Sequence, residues 1–293
     1  MIDQAHALRT LMQQRRESAG PVTLSSEPVQ PAAVLGFTSA KGGVGKTTLA
    51  LQAALQLARA GQKVCVWDVD GNAAHDLLTG FHHSWSLTHI LTGARSAREV
   101  LTSGPEGIHF LLGSGIRNLT TALTDRSESL AAAIAEWQRR FDAIVLDLPP
   151  VGSEGVRALI EAAHATWLVC TPEPAAIAAS YACIKHDPSL LPHLSLLVNR
   201  VSVPDVAFDV IDRLQQTTRM FLQQEWRAAG YIPHDTQLES AGLGAAESPA
   251  AGELHNLIAH WLDSVQESQM APDSFLKRLL QPHDPPTVLA KTA

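Results

Sequence analysis

Nine consecutive residues, Ala40-Lys41-Gly42-Gly43-Val44-Gly45-Lys46-Thr47-Thr48, combine glycines, lysines and hydroxyls at a spacing suited to anion capture. Gly42, Gly43 and Gly45 let the backbone turn tightly, so that N–H groups around Val44 can converge on phosphate oxygens. A helix that begins where such a turn ends adds the positive end of its dipole. Lys46 can reach β- and γ-phosphates, and the hydroxyl of Thr47 is an oxygen ligand for Mg²⁺, with Thr48 completing the turn. The context this chemistry needs is present. An apolar strand, Ala33-Val34-Leu35-Gly36-Phe37, precedes the turn, and an apolar helical stretch from Leu49 to Ala60 follows it.

Carboxylates at the ends of two apolar runs sit where a phosphate site would use them. One apolar run ends in Trp67-Asp68-Val69-Asp70-Gly71, and another ends in Ile144-Val145-Leu146-Asp147-Leu148-Pro149-Pro150. In a parallel sheet, ligands bind beyond the carboxyl ends of the strands, which is where these acids fall. Asp147, after four apolar residues, has the form of an acid that binds Mg²⁺ directly or through water. His75, His82 and His83 have no Cys or carboxylate partners at ligand spacing, so they read as loop residues.

The elements that must position these groups alternate. Strands are predicted at 33–38, 63–68, 108–112, 142–147, 165–170 and 194–199. Helices are predicted at 127–139, 155–163, 175–186, 205–228, 247–268 and 273–281. This pattern predicts an α/β fold, a mostly parallel sheet with helices on both faces. The 293 residues, 45% hydrophobic, suffice for one large core. Residues 1–16 read as a short helix and 17–32, with Pro21, Pro28 and Pro31, as a flexible linker. A core domain then spans 33–270, with a helix and Pro-rich tail at 271–293. The net charge of -7 and 17% charged residues argue against a protein dominated by nucleic-acid backbone contacts, so DNA is an unlikely partner. The three cysteines form no CxxC pair and read as buried reduced thiols. No apolar run approaches the ~20 residues of a membrane span.

The early lysine narrows the class. Lys41-Gly42-Gly43-Val44-Gly45-Lys46-Thr47 resembles the deviant Walker A motif of the MinD/ParA ATPases. The resemblance implies a P-loop ATPase that uses ATP and Mg²⁺ and forms a homodimer with ATP. It also implies that Lys41 acts in trans on the partner's phosphates. By the same resemblance Asp68 lies near the metal, Asp147 binds it, and Asp70 orients the attacking water. Asn199, ending Leu196-Leu197-Val198-Asn199, and Pro233, in Gly230-Tyr231-Ile232-Pro233-His234-Asp235, would frame the adenine. The segment Gly71-Asn72-Ala73-Ala74-His75-Asp76 departs from the family's Gly-Leu-Ala-Asn-Leu-Asp, which bears on hydrolysis more than on binding.

Further segments resemble the flagellar-number ATPases within that family, called FlhG, FleN or YlxH. These are Thr171-Pro172-Glu173-Pro174, Tyr181-Ala182-Cys183-Ile184-Lys185 and Asp3-Gln4-Ala5-His6-Ala7-Leu8-Arg9. The resemblance implies that the last of these, through Asp3, Gln4, Leu8 and Arg9, binds and stimulates an FlhF-like GTPase, with Gln4 as the stimulating residue.

Near the C-terminus, Phe275, Leu276, Leu279 and Leu280 share one helical face bordered by Lys277 and Arg278. Such a face suits weak contact with an anionic membrane surface, or docking on its own domain. The expected setting is the cytoplasm, with peripheral association at the inner face of the cell membrane. Two other readings stay open. One is a partition ATPase binding DNA through Arg200, Arg213, Arg219 and Arg227, among which acids interleave. The other is a nucleotide-gated interaction module with little turnover. No cysteine follows Asp147 closely enough to hold a bridging iron–sulfur cluster, which disfavours a nitrogenase-type reductase.

Overall fold

Apolar runs buried on both faces dominate the centre of the sheet. In β1 (Ala33–Ser39) every residue is buried, and the same holds for β2 (Val64–Asp68). Strands of this kind form where helices cover both faces of a parallel sheet. The computed structural model describes residues 30–71, 85–112, 119, 121–122, 125, 127–153, 155–241, 248–267 and 275–281. The described residues from 31 onward belong to one compact unit. The N-terminal helix and most of the linker expected at 1–32 lie outside the described residues, as do His75, His82 and His83.

After β1 comes α1 (Lys46–Arg59), then β2, α2 (Leu87–Leu91), β3 (Thr102–Ser103), β4 (His109–Leu112) and α3 (Glu128–Arg140). The chain continues through β5 (Ala143–Asp147), α4 (Val156–Ala162), β6 (Ala165–Cys170), α5 (Pro174–His186) and β7 (Leu194–Val201). It ends with α6 (Pro204–Leu222), β8 (Arg227–Pro233), α7 (Thr236–Ala241), α8 (Pro249–Glu267) and α9 (Phe275–Leu279). The described strands form one eight-stranded sheet in the order β3-β4-β2-β5-β1-β6-β7-β8. Every pairing is parallel except the short β3–β4 pair at one edge. The fold is thus the α/β class read from the sequence.

The order of the strands explains where a site can form. Central β1 is flanked by β5 on one side and β6 on the other. The connections leaving β1 and its neighbours diverge there, which opens a crevice at the strands' carboxyl ends. Helix α1 runs under this crevice and is buried nearly all round, between the sheet and α8. Its Ala50, Ala53 and Ala54 are fully buried and permit that close packing. Edge-to-face pairs reinforce this packing: Phe37–Trp167, at 5.3 Å between centroids, joins neighbouring strands β1 and β6, and Trp67–Trp137, at 5.8 Å, joins β2 to α3. His164 accepts from the Val34 N–H at 3.0 Å. Burial, and then Arg278, holds its pKa down to about 4, so the ring is a neutral acceptor at pH 7.

One expectation is corrected. The helix expected over 205–228 ends at Leu222, and Gln223 closes it in a left-handed conformation at φ 55°. The chain then enters an eighth strand beside β7. Burying Trp226 completely and pairing with β7 outweigh the helical preference of Gln223-Gln224-Glu225.

The C-terminal helix docks on its own domain. Phe275 is fully buried and Leu279 nearly so, against α3 and α4. Arg278 Nε donates to the Ala162 carbonyl at 2.7 Å, and Gln138 Oε1 accepts from Leu276 N–H. Leu280 alone of the four apolar residues is exposed, at 37%.

Candidate functional site

Helix α1 is preceded by its N-cap Gly45, whose φ of 91° only glycine adopts readily. No side chain caps this N-terminus, so its first amides face the crevice as donors for an anion. Gly43 also has positive φ, at 81°. A Cβ on Gly45 would lie 2.5 Å from Asn199 Nδ2, so the position admits no side chain on two grounds.

Register brings the acids to this turn. Asp147 pairs with Phe37 across β5–β1 and with Asp68 across β5–β2. Lys46 Nζ sits 2.5 Å from Asp147 Oδ1 and 3.2 Å from Asp70 Oδ2. Thr47 Oγ1 donates to the other Asp147 oxygen at 2.8 Å. The backbone after β2 is strapped to β5, because Val69 and Asp70 N–H groups both donate to the Asp147 carbonyl. Asp68 Oδ1 accepts from Gly71 N–H at 2.8 Å, which fixes the start of the following loop. Lys46, Asp68 and Asp147 are all buried. The structure therefore gathers Lys46, Thr47, Asp68, Asp70 and Asp147 into one cluster.

The donor chemistry suits Mg²⁺. Thr47 Oγ1 and Asp147 Oδ2 are hard oxygens 2.8 Å apart at the mouth of an anion cradle. Among the described residues no group of three or more His, Cys, Asp or Glu could hold a metal alone. A cation here would take its remaining ligands from water and phosphate, as Mg²⁺ does.

Lys41 is placed differently. Its ammonium pairs with Glu173 Oε2 at 3.1 Å on the surface, beside the loop after β6. It stands apart from the buried cluster around Lys46.

A pocket beside the cradle is lined by Gly45, Thr48, Leu49, Asn199, Pro233 and Asp235. Asn199 and Pro233 thus lie together, next to the P-loop. Three participants are given no role at this site by the sequence reading, which weighs Arg200 only for DNA. Glu173 holds Lys41. Arg200 Nη1 donates to the Gly43 carbonyl at 3.0 Å. Asp235 caps α7 through Gln237 and Leu238 N–H and ties in Ala250 N–H at the start of α8. Burial opposes its charge, but bonds from Ser248, Ala250, Leu238 and Gln237 outweigh this and hold its carboxyl below the usual range. An Asp followed by Thr-Gln-Leu was a readable capping signal. The contacts of Arg200 and Glu173 depend on pairings between distant segments and carried no local signal.

Asp3, Gln4, Leu8 and Arg9 lie outside the described residues, as does the altered loop after Gly71. Cys65 and Cys170 are buried and Cys183 partly so, all as free thiols. Burial pushes the Cys65 thiol up to about 12. No helix among the described residues is long and apolar enough to cross a membrane.

A family model described as an AAA domain matches residues 32–179, which hold both the phosphate turn and Asp147. The antiactivator FleN of Pseudomonas aeruginosa is 29% identical over 221 residues, covering 74% of this chain and 78% of that protein. The flagellum site-determining protein YlxH of Helicobacter pylori is 29% identical over 183 residues, covering 61% of this chain and 62% of YlxH, under two thirds of its length. Among solved structures, the septum site-determining protein MinD of Pyrococcus horikoshii, complexed with Mg-ADP, superposes with a TM-score of 0.58. That alignment is 19% identical over 82% of this chain and 99% of the other, a likeness of fold.

Proposed function

The chain belongs to the MinD/ParA family of P-loop ATPases, and from that premise we propose that it is a Mg²⁺-dependent ATPase that dimerises on ATP and regulates flagellar number or placement. The observation that carries the reading is the division of labour between the two lysines. Lys46 is buried against Asp147 and Asp70, where it can serve its own phosphate site. Lys41 lies at the surface on Glu173, where a second copy can meet it.

Each residue then has a physical task. The amides at the start of α1 and the Lys46 ammonium hold the phosphate oxygens. Thr47 and Asp147 hold Mg²⁺, which draws charge from the β- and γ-phosphates when bound. Asp70, within 3.2 Å of Lys46, orients a water toward the γ-phosphate. Asn199 offers a donor and an acceptor to the adenine edge, and Pro233 packs against the ring. Lys41 reaches the partner's phosphates, so dimerisation completes the site.

The flagellar assignment rests on FleN and YlxH and on the segment Asp3-Gln4-Ala5-His6-Ala7-Leu8-Arg9. In a helix Ala5 and Leu8 share one face, while Gln4 lies on an adjacent one. A glutamine orients water without carrying charge, as in other GTPases. A synthetic peptide of residues 1–20 should raise GTP hydrolysis by the cognate FlhF-like GTPase, Gln4→Ala should bind without stimulating, and Leu8→Asp should not bind. An inert parent peptide, tested on the dimeric GTPase, would take from the flagellar assignment its most specific support and leave the ATPase reading standing.

A further inference from the structure

Consecutive residues of a strand normally point to opposite faces of the sheet. Asn199 and Arg200, near the end of β7, both reach the same loop. Asn199 Nδ2 donates to the Val44 carbonyl at 2.8 Å, and Arg200 Nη1 donates to the Gly43 carbonyl at 3.0 Å. The break in alternation has a visible cause. Between the pairs Val198–Tyr231 and Val201–Pro233, two residues of β7 stand opposite one of β8. This is a β-bulge, and bulges beside sites re-aim side chains. Arg200 itself has φ 60°, one of three non-glycine residues with positive φ among the described residues. Strain of that kind persists only where the surroundings impose it.

The two bonded carbonyls belong to adjacent peptide units of the phosphate turn. A trans peptide is planar, with its C=O and N–H pointing in opposite directions. No cis peptide occurs among the described residues. Pulling the Gly43 carbonyl toward β7 therefore turns the Val44 N–H away from β7. Pulling the Val44 carbonyl does the same for the Gly45 N–H. Glycine leaves this segment little stiffness of its own, so an outside clamp has work to do.

We propose that Arg200, with Asn199, is a positioning residue of the phosphate cradle: the bulge aims both side chains at successive loop carbonyls and so pre-orients the Val44 and Gly45 amides for phosphate. This deepens the nucleotide-site reading above and rests on it. Asn199 contributes one amide hydrogen to the clamp, which leaves its other hydrogen and its oxygen for the base. The base pocket and the phosphate turn are thereby joined through one dipeptide.

The test uses the full chain and four proteins: parent, Arg200→Gly, Arg200→Lys and Arg200→Ala. Glycine accepts positive φ, so Arg200→Gly removes the clamp while relieving strain. Its ligand-free melting temperature should equal or exceed the parent's. Its Kd for ADP should rise on the order of tenfold, the effect of one lost charge-assisted bond. Inorganic pyrophosphate, which has no base, should weaken by the same factor. Arg200→Ala should bind as poorly as Arg200→Gly, and Arg200→Lys should recover part of both affinities. Unchanged ADP binding in Arg200→Gly overturns the inference. So does weakened ADP binding with pyrophosphate unchanged, which would assign Arg200 to the base. A ligand-free Arg200→Gly protein that melts lower than the parent would assign it to the fold. A parent protein that binds no ADP would overturn the nucleotide-site reading itself, and this inference with it.

Discussion

Lys46 Nζ lies 2.5 Å from Asp147 Oδ1 and 3.2 Å from Asp70 Oδ2, so one buried ammonium joins the ends of β5 and β2. Without nucleotide it neutralises two carboxylates that crowd the cradle. With nucleotide the same charge is available to phosphate oxygens. Lys46 thus supports the fold and the ligand in turn, and its loss should be felt in both.

Lys46→Ala should abolish nucleotide binding. It should also destabilise the ligand-free protein by about 3 kcal/mol, because Asp147 and Asp70 lose the buried ammonium they share. Urea melts of the ligand-free proteins check the second effect. Equal midpoints would show that the ion cluster does not hold these strand ends together.

Asp70→Ala should retain ATP, since Lys46, Thr47 and Asp147 stay in place. Turnover should fall roughly 10²- to 10⁴-fold with loss of the group that orients water. Phosphate release measured beside light scattering should show a dimer that accumulates with ATP. Parental turnover in the variant would exclude Asp70 from catalysis.

Lys41 and Glu173 are 43% and 59% exposed, so their pair contributes little to stability. Lys41→Ala should melt like the parent, within about 0.5 kcal/mol. It should bind ATP normally yet stay monomeric in light scattering. A Lys41→Ala protein that dimerises like the parent removes the role in trans.

Local pattern carried most of this site. Glycine spacing, apolar runs ending in Asp68, Asp70 and Asp147, and the helical stretch after Lys46 are properties of short segments. Register then did what the pattern implied, because β2, β5 and β1 are neighbours with aligned carboxyl ends. What stayed illegible depends on pairing between distant segments. Strand β8 hid behind the helical composition of Gln223-Gln224-Glu225, since its signal is Trp226 finding a core position. The roles of Arg200 and Glu173 needed the bulge in β7 and the approach of the loop after β6, and neither leaves a mark in nearby sequence.

The Asp235 carboxyl is held below its usual pKa by donors from α7 and the start of α8. A folded pKa below the unfolded one stabilises the protein above the unfolded value, about 3.9. That stabilisation is lost as pH falls through the lower folded value. The stability difference between parent and Asp235→Ala should therefore be full at neutral pH and shrink below about pH 4. Denaturant midpoints at several pH values check this. A difference that does not change with pH would show that the charge of Asp235 contributes nothing.

The C-terminal helix sets two uses of one apolar face against each other. Phe275 and Leu279 lie in the protein's own core, and Arg278 is bonded to the end of α4. The same face cannot contact lipid while docked. Phe275→Ala should destabilise the ligand-free protein by about 3 kcal/mol, the loss expected for a buried ring. Leu280→Ala, at an exposed position, should leave stability nearly unchanged. If the helix leaves its dock in the ATP-bound dimer, two copies would be presented together, and paired weak anchors bind far better than one. Co-sedimentation with anionic liposomes should then require ATP and be lost when residues 273–293 are deleted. Equal sedimentation of full-length and truncated protein in ATP would leave the helix with its docking role alone.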